Sequence, residues 1–142
     1  MDTITDGKIE EEREFSFEKL EVYQAAVDLM DMVYDSLEHA QFPNEERYAL
    51  CDQLRRAVCS VPSNIAEGSG RASFKEKIHF LEISYGSLME TFCQLQIALR
   101  RGYIDLEQFN VARNQSHKVA KLLSGLRSYY QSQSTAAWRP QQ

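Results

Sequence analysis

The chain is poor in the residues that punctuate a fold, with three prolines and six glycines in 142 residues. So few turn formers argue against an all-β domain and against a disordered linker, both of which are rich in them. Long apolar runs are missing as well, so no segment reads as a membrane span, and the N-terminus carries no signal-peptide pattern. Cysteine is sparse: Cys51, Cys59 and Cys93 are odd in number and lack Cys-x-x-Cys spacing. They read as small buried apolar side chains in a reduced, cytoplasmic protein. Also lacking is any signature that sets a thiol or serine beside an activating base, so the expectation is a protein that is not an enzyme and holds no cofactor or metal.

What is present is one domain's length of helix-forming sequence with unevenly distributed charge. Residues 1–19 hold seven acids and three bases, and residues 20–54 hold eight acids against a single base, Arg47. Residues 55–99 are nearly balanced, while residues 100–142 hold seven bases and two acids. The formal net charge is -5. Such polarity suits pairing between the first and last helices, within or between subunits, or a basic surface for a polyanion; it also suits plain solvated faces.

Residues 1–15 are acidic with little apolar material and read as a flexible arm. After Ser16, a candidate N-cap, Leu20, Tyr23, Val27, Met30, Tyr34 and Leu37 recur at steps of three and four, which predicts a first helix to about Ala40. Val22, Ala26, Leu29 and Val33 form a second, weaker stripe, so the apolar face is wide and hints at self-association. Pro43 and Asn44 predict the start of a second helix with Glu45 and Glu46 in its first turn. Tyr48, Cys51, Leu54, Val58, Val61 and Ile65 form its apolar face, Pro62 predicts a kink near Ser60, and Gly68 has the character of a residue just past the helix end. Ser73 with Glu76 opens a third helix of heptads, Ile78, Leu81, Tyr85, Leu88, Phe92, Leu95 and Leu99, which closes at Arg100-Arg101-Gly102. Gly86 inside it predicts a tight crossing. Asp105 with Gln108 opens a fourth, carried by Phe109, Ala112, Ser116, Val119, Leu123, Leu126 and Tyr130 and ending near Ser132. The expected architecture is an all-α, antiparallel up-down-up-down four-helix bundle over residues 16–132, followed by a tail at 133–142.

Candidate chemistry concentrates between Gln53 and Ser73. Gly68-Ser69-Gly70-Arg71 before a helix start could cradle an anion with Arg71 and Lys75, although Walker A spacing is absent and a plain turn explains it too. Glu76 and His79 have one copy of the spacing that metal bundles use twice, which reads as a surface pair. Gln53, Arg56, Ser60, Asn64 and Glu67 form a polar ridge on the second helix, and Ser84, Ser87, Thr91 and Gln94 form one on the third. Together they predict a polar seam in which Asn64, Glu67, Ser87 and Glu90 fix packing and Arg56 pairs with Glu90 or Glu67. Arg55, Arg56, Arg71, Lys75, Arg113, Lys118 and Lys121 are the candidate anion or nucleic-acid contacts.

The run QLRRAVCSVPSNIAEGSGR, with FPNEERYAL before it and FLEISYGSLMET after it, resembles the four-helix bundle family encoded by intervening sequences in bacterial 23S rRNA genes. The resemblance spans about residues 17–130 and is most specific at Asn64-Ile65-Ala66-Glu67-Gly68 with Arg71 and at Gly86-Ser87-Leu88. It implies a homopentameric ring with no established catalytic activity and no cofactor. A relative in that family, the accessory variability protein of retroelements, binds a reverse transcriptase and nucleic acid through a basic pentamer. The reading of this sequence is therefore an oligomeric scaffold for a protein or ribonucleoprotein partner. The alternative is an RNA-binding accessory protein, with RNA or a reverse-transcriptase-like protein as partner; against it stands the acidic balance of the chain.

Overall fold

The structure is a computed structural model that describes residues 14–137. Residues 1–13 of the expected arm and 138–142 of the expected tail lie outside the described residues. Four helices carry the fold: α1 (Glu21–His39), α2 (Leu50–Ser69), α3 (Phe74–Arg100) and α4 (Leu106–Ala137). Each packs on its chain neighbours, and α1 packs on α4 to close the circle, with no close backbone approach across either diagonal among the described residues. This is the expected antiparallel four-helix bundle. Its axis is filled by fully buried Leu29, Val33, Leu54, Val58, Val61, Ile65, Leu88, Leu95, Val119 and Leu123.

In α1 the core face differs from the expected one. Val22, Ala25, Ala26, Leu29 and Val33 are buried, whereas the longer stripe from Leu20 to Leu37 is half-buried and Tyr34 is exposed. The two stripes lie side by side on a wide face, and the one with smaller side chains lets the neighbouring helices come closer. Ser16 does not cap α1. Residues Ser16–Lys19 form a 3-10 turn, held where the Phe15 amide donates to the Glu18 carboxylate at 2.7 Å and where Phe17 meets Tyr23 edge-on at 4.9 Å.

The start of α2 is also later than expected. Asn44–Glu46 make a separate 3-10 turn, the backbone breaks at Ala49 (φ -116°, ψ -97°), and the helix begins at Leu50. Tyr48 therefore lies outside α2 and is 85% exposed. Past that point α2 runs uninterrupted through the buried Pro62. Ser63 donates to the Cys59 carbonyl at 2.8 Å and Ser84 of α3 donates to the Val61 carbonyl at 2.8 Å, so hydroxyls take up two carbonyls of the turn that precedes the proline.

The caps of α3 and α4 form as the sequence predicts. Ser73 accepts from the Glu76 amide at 3.1 Å. At the start of α4, Asp105 accepts from the Gln108 amide at 2.7 Å while the Gln108 side chain accepts from the Asp105 amide at 3.0 Å, a complete capping box. Arg101 caps the C-terminus of α3, and Gly102 follows with φ +76°. Its amide donates to the Leu99 carbonyl at 3.0 Å and that of Tyr103 to Ala98 at 2.8 Å, which is the Schellman pattern that favours glycine. At this end of the bundle the two turns are stapled together: the Gln41 amide donates to the Tyr103 carbonyl at 3.0 Å, and the Phe42 and Tyr103 rings pack 5.1 Å apart. At the other end α4 continues past Ser132 to Ala137, because Gln131 to Ala137 contain no glycine or proline to stop it.

Candidate functional site

The contact of α2 with α3 is where the predicted polar residues meet. Ser60 and Ser87 share a hydrogen bond of 2.7 Å between their hydroxyls, and the Asn64 amide donates to both the carbonyl and the hydroxyl of Ser60, at 2.8 and 2.9 Å. Buried Thr91 donates to the Ser87 carbonyl at 2.8 Å. Gln94, also buried, donates to Gln53 and Glu90 at 3.3 Å, while its own carbonyl oxygen is buried without a partner among the described residues. Asn64 and Ser87 therefore sit within the seam and Glu90 at its rim. Glu67 lies outside it, taking Arg71 at 2.7 Å one helical turn on.

Where the seam ends, α2 and α3 come close together at Gly68. The helix continues through it to Ser69, so Gly68 is not the residue past the end. A Cβ at that position would lie 2.8 Å from the Cβ of Phe80 and 3.3 Å from the Lys77 carbonyl. Gly86, expected at a tight crossing, has nothing within 4 Å. Lys77 folds back across the turn and donates to the Ser69 carbonyl at 2.8 Å.

The candidate cations are not brought together. Arg56 pairs with Asp52 at 2.8 Å on its own helix, its side chain 79% exposed, and not with Glu90 or Glu67, because Asp52 stands one turn away on the same solvated face. Arg71, bound to Glu67, also lies 4.6 Å over the Phe80 ring. It and exposed Lys75 are at the opposite end of α2 from Arg55 and Arg56, roughly 20 Å along the helix at 1.5 Å per residue. Arg113, Lys118 and Lys121 are exposed along α4, and Arg127 pairs with Glu82 of α3 at 2.8 Å. Glu76 and His79 are exposed, and no cluster of three candidate metal ligands forms among the described residues. Arg55 is half-buried and opens on a polar cavity it shares with Arg47, a residue that the sequence singles out only as the lone base of its segment.

A family model described as the 23S rRNA-intervening sequence protein matches residues 18–125. The chain belongs to this family. The match takes in all of α1, α2 and α3, with the whole of the Ser60–Ser87 seam. Among solved structures, a protein of unknown function from the S23 ribosomal protein family of Bacteroides thetaiotaomicron superposes with a TM-score of 0.66. It is 24% identical, and the alignment covers 75% of this chain and 97% of that one, a likeness of fold. No curated protein matches the chain. Among the described residues, no helix of this family member is long and apolar enough to cross a membrane.

Proposed function

We propose that this member of the 23S rRNA-intervening sequence family is a non-catalytic, self-associating helical scaffold, with the pentameric ring implied by the sequence resemblance as its expected form, on which a protein or ribonucleoprotein assembles. The observation that carries this reading is the mixed polarity of α3, whose buried face holds small polar residues beside Leu81, Leu88 and Leu95. It buries Ser84, Thr91 and Gln94 against α2 while Ile83, Tyr85, Met89 and Ile97 are 38–44% exposed. A helix serving a solitary bundle places its small polar residues outside and its large apolar ones inside. Apolar surface left outside a closed core is what association covers.

Light scattering coupled to size exclusion tests the first part. The expected mass is a multiple of the 16.4 kDa chain, five times that value for the ring. A monomer at micromolar concentration overturns the reading.

A further inference from the structure

The late start of α2 leaves a cavity of about 420 Å³ between the end of α1 and the elbow that follows it. Arg47, Arg55, Asn44, Glu38, Phe42 and the buried Cys51 are among its walls. It is polar, and its volume falls within the range of roughly 300–1,000 Å³ typical of small-molecule sites.

Among the described residues, neither Arg47 nor Arg55 is committed to an ion pair. Arg56, Arg71 and Arg127 each hold a carboxylate at 2.7–2.8 Å, whereas Arg47 and Arg55 have none within 4.0 Å among the described residues. Both act on one point at the cavity floor. Burial pushes the Cys51 thiol up, Glu46 adds to that push, and Arg55 and Arg47 pull against it. Two guanidinium groups lining one concave space repel one another, and an anion between them relieves the repulsion. Their planar forks match the oxygens of a phosphate or carboxylate, Asn44 supplies amide donors, and Phe42, held against Tyr103, gives a fixed apolar wall.

We propose that this cavity binds a small organic phosphate, its phosphate between Arg47 and Arg55 and its apolar part on Phe42. The surroundings select a small ligand over a polymer. Glu38 shares the cavity, Glu45 and Glu46 flank it, and α1 carries five acids and no lysine or arginine, so a chain of phosphates leading away meets negative charge.

The test is a titration followed by amide NMR, with inorganic phosphate, phenyl phosphate and a single-stranded oligonucleotide as separate probes. The expected result is saturable shifts confined to residues 38–55, with phenyl phosphate tighter than inorganic phosphate. Arg47→Gln and Arg55→Gln should each weaken binding about tenfold or more, as loss of a charge-assisted hydrogen bond does, while Lys118→Gln with Lys121→Gln leaves it unchanged. Arg47 is exposed and outside any helix, so Arg47→Gln keeps the test decisive even if the half-buried Arg55 does not tolerate change. No saturation by about 10 mM of either phosphate, unchanged affinity in Arg47→Gln, or displacement of phenyl phosphate by the oligonucleotide at lower concentration would overturn the proposal.

Discussion

At Gly68 the backbone of α2 leaves no room for a side chain, because the two atoms a Cβ would strike, the Cβ of Phe80 and a backbone carbonyl, cannot swing away. Gly68→Ala should therefore force α2 and α3 apart and cost about 1–3 kcal/mol. Gly86→Ala meets nothing within 4 Å and should instead gain about 1 kcal/mol of helix propensity. Urea unfolding of the two variants distinguishes them by sign, and an unchanged midpoint for Gly68→Ala would contradict the close approach. The sequence marks Gly86 as the crossing point and Gly68 as a helix end. Local pattern cannot separate the two roles, since what decides them is a residue on another helix. The same limit explains Arg56: its partner Asp52 is a near neighbour on the chain, yet a seam partner reads equally well until the facing helix is in place.

Among the elements, α2 and α3 are joined by hydroxyls and amides as well as by apolar packing. If Ser60 and Ser87 form one bond across the seam, Ser60→Ala and Ser87→Ala should each destabilise the fold, and the pair together by less than the sum. The coupling energy expected from denaturation is about 0.5–1.5 kcal/mol. Strict additivity would mean that the two hydroxyls do not meet. Helix starts were legible where the cap and its partner stand three residues apart, as at Ser73 with Glu76 and Asp105 with Gln108. The start of α2 was not, because Glu45, Glu46 and Tyr48 suit a first turn and the break at Ala49 leaves no mark in composition. In α1 both apolar stripes were legible, and only their neighbours determine which one is central. The elbow cavity exists because of that unread break, so Arg47 carried no signal as a site residue.

For the molecule as a whole, three groups tie stability to alkaline pH. Burial raises the pKa of Cys51 and of Tyr130, and the bond to Cys59, together with burial, raises that of Tyr34. A raised pKa in the folded state means that the unfolded chain releases its proton first as pH climbs, so each group supports the fold below its own ordinary range and loses that support above it. The free energy of unfolding should decline from about pH 8.5 upward, first through Cys51 and then, near pH 10, through the tyrosines. Tyr130→Phe should flatten the upper part of the decline in urea titrations run across that range; an unchanged slope would show that Tyr130 does not contribute. The architecture was readable in the sequence because four periodic stripes and short connections leave few ways to pack. Assembly was less so, since Ile83, Met89 and Ile97 lie off the heptad positions that fill the core and only Tyr85 shares them. The even number of antiparallel helices has a last consequence. Glu14 and Ala137 lie at the pole that holds the α2–α3 turn, while the stapled turns at Gln41 and Tyr103 form the opposite pole. The elbow and its cavity thus open at the pole away from Glu14 and Ala137.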